Sequence, residues 1–207
     1  MRIMLIVAWL FIGLGGLIYH YGPGQEKLEA DRVGVKLRLA RLSAETNQFT
    51  DAVKLYEEAM SELPGESISE CRYISLEKVK AQMMNAELPE ARETLQDLLT
   101  EARADENADP KFIADVQATL ANSQYYMTWL MRLEGMPEDH WMPEIESARQ
   151  HYAQVATDAE NAGNEKLLKN SLEDLESTIR LARMDLSELQ GLPLPQPMKG
   201  YVKRQRP

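Results

Sequence analysis

The residues nearest to forming a metal centre are His140, Glu144 and His151. His140 falls in a segment read as a loop, and His151 lies seven residues past Glu144. Ligand pairs on a helix need a spacing of three or four, so these side chains read as ordinary surface residues. Asp105-x-Asn107-x-Asp109 imitates the opening of a calcium loop, but Pro110 stands where that loop needs Gly, and Val116 where it needs its last Glu. A helix cap in an acidic loop accounts for the run. No GxxxxGK, GxGxxG, GxSxG, HExxH or CxxC occurs. Acidic residues are plentiful but alternate with Lys and Arg in the manner of helix exteriors. Cys71 stands alone, which forbids an internal disulfide. The expectation is a chain with no catalytic residues, no cofactor and no metal.

One cluster suits recognition. Tyr125, Tyr126, Trp129 and Met131 lead into Met136, Trp141 and Met142, gathering two of the three Trp residues of the chain. Such side chains either pack a long helical hairpin or anchor a partner protein. Leu168, Leu172, Leu175, Ile179, Ala182, Leu186 and Leu189 alternate by four and three. That seam serves either the preceding helix or a second chain.

These residues must be positioned by helices. Ala, Leu, Glu, Met, Gln and Arg dominate the 207 residues. All 33 acids lie between Glu26 and Glu188, whereas Lys199, Lys203, Arg204 and Arg206 make a basic tail. An acidic body offers no groove for nucleic acid. Residues 3–18 hold no charged or strongly polar side chain, Tyr19, His20 and Tyr21 suit a membrane interface, and residues 3–21 as a helix would span about 28 Å, close to the thickness of a bilayer core. Gly22-Pro23-Gly24 ends that run without a convincing cleavage site. Residues 1–24 are therefore expected to be an uncleaved anchor in a bacterial inner membrane, with the body on the periplasmic side.

The body, residues 25–190, divides into seven expected helices. The first runs from Glu26 to about Thr46 and turns Leu28, Val35, Leu39 and Leu42 inward. The second begins with Thr50 as its cap and stops before Pro64-Gly65. The third starts at Ser67 or Ser69. The fourth has Pro89 in its first turn and buries Ala91, Leu95, Leu98 and Ala102. Asp109-Pro110 opens the fifth, which Gly135 ends. Pro143 opens the sixth, which Gly163 ends, and the seventh runs unbroken from Glu165 to Gln190. Residues 191–207, with Pro193, Pro195 and Pro197, read as a Pro-rich, basic, disordered tail.

A helix, a short turn and a helix, repeated, is the form of a helical solenoid. Leu39-Ala40, Phe49, Ala52, Tyr56, Ala59 and Pro64 resemble one tetratricopeptide repeat. Lys36 and Ser43 depart from its aromatic positions. Leu88, Ala91, Leu95 and Leu98 resemble a second unit, and Leu120-Ala121 with Ala148 and Tyr152 a third whose hairpin is lengthened by an insertion. The resemblance covers about residues 28–161. It implies an all-α fold: an N-terminal transmembrane helix, then a tetratricopeptide-like α-solenoid of hairpins with a C-terminal capping helix. It also implies a groove for protein partners. Leu37 and Arg41 stand where carboxylate-clamp repeats carry Lys and Asn, so a C-terminal carboxylate is not the expected ligand. The candidate protein-binding residues are Leu37, Arg41, Tyr125, Tyr126, Trp129, Trp141 and Met142. The expected role is a membrane-tethered adaptor or scaffold, or else a structural subunit of a larger membrane complex.

Overall fold

Turns set the course of this chain. The computed structural model describes residues 23–65 and 67–197, with side chains from residue 31 onward. Over that range it contains eight helices and no strand: α1 (Pro23–Glu45), α2 (Phe49–Ser61), α3 (Ile68–Met84), α4 (Leu88–Ala104), α5 (Pro110–Leu133), α6 (Glu138–Asn161), α7 (Glu165–Arg183) and α8 (Leu186–Gln190). The segment 3–21 lies outside the described residues. Among those described, no helix is long and apolar enough to cross a membrane.

The three hairpins α1–α2, α3–α4 and α5–α6 close in the same way. Asn47, Ala86 and Gly135 each follow a helix with positive φ, at 61°, 64° and 71°. The next N–H then reaches five residues back: Gln48 to the Ser43 carbonyl at 2.8 Å, Glu87 to Gln82 at 3.0 Å, Met136 to Met131 at 2.9 Å. This 6→1 closure satisfies carbonyls that a helix end leaves open. Gly163 repeats it between α6 and α7. Between hairpins the chain relies on proline instead. Asp109 caps α5 by accepting from the Lys111 N–H at 2.9 Å, with Pro110 in the first helical place.

Successive helices pack on one another, and α5 also touches α3, α7 and α8. Alternate helices thus share a layer, α3–α5–α7, with α4 and α6 behind it. The crossings are made by small residues. Ala40, Ala52 and Ala59 are fully buried where α1 meets α2, with Tyr56 filling the gap between them. Leu88, Ala91, Leu95 and Leu98 are buried in the central cluster beneath α3 and α5. Ala121, Ala148 and Tyr152 do the same for α5–α6. Alanine at a crossing lets two backbones approach closely, and one large neighbour restores density. The fold is all-α, its helices stacked as hairpins in a manner compatible with a helical repeat.

Several boundaries differ from expectation. Thr50 does not cap α2, because the helix already begins at Phe49; its hydroxyl instead meets Asn85 Oδ1 at 2.9 Å, joining the first two hairpin turns. Pro143 lies inside α6, which starts at Glu138 with two acids in its first turn. Burial of Trp141 holds that first turn in place, and Pro143 forfeits one hydrogen bond near an exposed helix start. α7 stops at Arg183. Met184 is extended, and Asp185 accepts from the Glu188 N–H at 2.7 Å to start α8 anew.

Two apolar rows are also turned. Val35, Leu39 and Leu42 are 45%, 47% and 55% exposed, while Val33, Ala40 and Ala44 face inward. α7 packs on α6 and buries Ser171, Thr178 and Leu181, while Leu172 on α7 and Leu186 at the start of α8 are exposed. A strict seven-residue seam drifts around an unsupercoiled helix of 3.6 residues per turn, so its members cannot all stay buried.

Candidate functional site

The seven residues singled out from the sequence do not form one surface. Leu37 and Arg41 belong to the first hairpin. Leu37 is half-buried against the α1–α2 core, and Arg41 is exposed. Lys36 beside them bonds Glu58 of α2 at 2.9 Å and Glu62, just past its end, at 3.0 Å. An ion pair thus replaces the aromatic packing of the repeat pattern, and the two carboxylates hold the ammonium's pKa above its ordinary value.

Tyr125, Tyr126, Trp129, Trp141 and Met142 lie in the third hairpin, where the two tryptophans are buried and the other three are half-buried. Trp129 is 5% and Trp141 8% exposed. They form one cluster with Ile145, Leu181, Met184 and Leu189, flanked by Tyr125 and Met142. Tyr126 packs on the central cluster instead. Arg132 places its guanidinium 4.6 Å from the Trp141 ring centroid and donates to the carbonyls of Leu181 and Met184. Burial lowers the Arg132 pKa, yet a guanidinium stays charged at neutral pH. The aromatics therefore join the long hairpin to α7 and α8, and Leu133 and Met136 at its tip remain exposed.

The histidines also fall in separate places. His140 is exposed in the first turn of α6. His151 lies in a cleft between α4 and α6, where burial and then the Arg103 charge lower its pKa and keep it neutral. Glu144 pairs with Arg92 at 2.7 Å rather than facing a histidine. The described residues hold no metal-ligating cluster of three.

What the shared layer does present is a polar groove. Asp115, Ala118, Thr119 and Asn122 recur at helical spacing along α5, and Lys80 of α3, Tyr152 of α6 and Asp174 of α7 complete a cavity of about 250 Å³. Thr119 turns its hydroxyl to the Asp115 carbonyl at 2.7 Å, and Thr178 does likewise to Asp174 at 2.7 Å. These buried hydroxyls are satisfied by their own helices and do not compete for a ligand. Lys80 is held by Glu77 at 2.7 Å. Burial, and then the Asp174 charge, push the Tyr152 phenol well up, so it stays protonated.

None of these groove residues except Tyr152 was singled out from the sequence, and Tyr152 only as a packing residue. The available signal was the row Asp115, Thr119, Asn122, which lies beside the apolar row Val116, Leu120 on the same helix. The groove is lined by two carboxylates, one ammonium and the side chains of Thr119, Asn122 and Tyr152. Compared with protein-family models, curated proteins and solved structures, the chain matches none of them.

Proposed function

We propose that this chain is a membrane-tethered, tetratricopeptide-like adaptor that holds other proteins and catalyses nothing. The observation that carries the reading is the repeated hairpin. Three times the chain closes with the same positive-φ turn, and Ala40, Ala52, Ala91, Ala121 and Ala148 mark the helix crossings. Repetition of that kind builds an open, polar inner layer, which is a surface for binding rather than an enclosed pocket for chemistry. The segment 3–21 would be the anchor, in a bacterial inner membrane with the body on the periplasmic side. Tethering would confine the groove to the membrane surface and raise its effective concentration toward membrane-bound clients.

A second reading, a structural subunit of a larger membrane complex, is favoured by one feature. The exposed row Val35, Leu39, Leu42 lies on the helix nearest to the proposed anchor in the chain, where a permanent neighbour would cover it. Affinity purification of the full-length, C-terminally tagged protein in mild detergent separates the two. Asp115→Lys with Asn122→Ala should abolish recovery of partners if the groove holds them. Val35→Glu with Leu39→Glu should abolish it if the outer row does. Recovery unaffected by the groove variant would overturn the adaptor reading.

A further inference from the structure

The C-terminal segment does not leave the molecule where the last helix stops. α8 ends at Gln190 with Leu189 buried against the Trp129 cluster. The following residues, with Pro193 and Pro195, are not helical. Yet the Pro197 carbonyl accepts from Asn122 Nδ2 at 2.6 Å. Trp129 and Asn122 are seven residues apart on α5, about 10 Å along its axis. The segment therefore runs back over the inner layer toward the start of α5. Ahead of it lies the groove containing Asp115 and Asp174.

The next ten residues, 198–207, lie outside the described range and carry Lys199, Lys203, Arg204 and Arg206 with no acid. We propose that this segment is the occupant of the groove in its own chain. Reach and charge both support it. Two residues of chain span at most about 7 Å, which bounds how far Lys199 can lie from Pro197. Asp115 stands about 10 Å beyond Asn122 along α5, within reach of a lysine side chain. The sign of the tail is opposite to that of the groove's two aspartates. The Asn122–Pro197 bond holds the tail beside them, so binding within the chain meets a high effective concentration. A client in trans would have to displace it. The inference needs the groove but not the existence of a client, so it and the adaptor reading fail separately.

The test is photo-crosslinking in the full-length protein in mild detergent, with Tyr201→benzoylphenylalanine as the probe and isotopically mixed chains to separate contacts within a chain from contacts between chains. The expected products are intrachain crosslinks to α3, α5 or α7 around the groove. Their yield should fall at least about threefold in roughly 0.5 M salt, which screens exposed charge. A similar fall should follow Lys199→Glu, Lys203→Glu, Arg204→Glu and Arg206→Glu together, or Asp115→Lys. The tail variant leaves the helical body untouched and decides the matter should Asp115→Lys fold poorly. Crosslinks only between copies, only to detergent or lipid, or only to residues outside the groove would overturn the proposal, as would a yield indifferent to charge reversal of the tail.

Discussion

Arg132→Ala should detach the end of the molecule that the third hairpin holds. Its guanidinium stacks on Trp141 and donates to the carbonyls of Leu181 and Met184, groups that the last turn of α7 leaves without helical partners. Charge-assisted hydrogen bonds contribute about 1.5–3 kcal/mol each when shielded, and a partly exposed site reduces this to about 1 kcal/mol each. The cation–π contact adds about 1 kcal/mol. The sum is roughly 3 kcal/mol, which for a chain of this size lowers the thermal midpoint by about 6–12 °C. Arg132→Lys keeps a charge over Trp141 but cannot reach both carbonyls with a planar fork, and should lose about half as much. Helical circular dichroism with heating measures the midpoint. Hydrogen exchange should show protection lost across residues 165–190 while α2 to α4 keep theirs. An Arg132→Ala midpoint within about 2 °C of wild type, a change of roughly 0.5 kcal/mol, would refute the reasoning.

Other outcomes follow from particular sites. Ala86 occupies a left-handed turn at φ 64°, so Ala86→Gly should raise stability by about 0.5–1 kcal/mol, read as a higher denaturation midpoint. Ala52 is fully buried at the α1–α2 crossing, and Ala52→Leu should cost about 1–3 kcal/mol in the same assay by forcing the helices apart. The Tyr56 hydroxyl is buried with no partner, and burial pushes its pKa up to about 12. Tyr56→Phe should therefore be neutral or mildly stabilising, and a clear loss would reveal a hydrogen bond there. Asp105 beside Arg72, Asp109 accepting from the Lys111 N–H and the Tyr73 hydroxyl, and Asp185 accepting from the Glu188 N–H are all held below their ordinary value of 3.8. Folded values below the unfolded one mean stability that is present above pH 3.8 and is lost as pH falls through the folded values. Thermal midpoints should stay level from about pH 7 to pH 5 and drop below about pH 4, less steeply in Asp109→Asn.

The helices and their breaks were legible because their signals are local. Asp109-Pro110, Pro89, Gly135 and Gly163 each act within one turn, and the structure keeps every one. So were the small residues at crossings, since Ala40, Ala52, Ala91 and Ala148 stand at spacings that only a hairpin explains. What misled was the choice of face. Val35, Leu39 and Leu42 outrank Ala40 and Ala44 in hydropathy, yet the crossing admits only the alanines. The break at Met184 was hidden because Leu186 and Leu189 continue the seam in phase, although Asp185 followed by Glu188 is itself a helix start. The aromatic cluster resembled a binding patch because its burial depends on Leu181, Met184 and Leu189, at least forty residues beyond Trp141. The groove was overlooked because its lining, Asp115, Thr119 and Asn122, consists of residue types that occur on any wet helix face.

The two ends of the stack are unlike, and that limits how the molecule can grow. Solenoids lengthen by placing one unit's rear face on the next unit's front. Here α7 and α8 shut one end over Trp129 and Trp141, while α1 at the other end presents Val35, Leu39 and Leu42. Copies joined head to tail would need an adhesive surface at both ends. Copies joined through the α1 row would be related by a two-fold axis and would show only sealed ends afterwards. Any assembly through that row would therefore terminate at a pair.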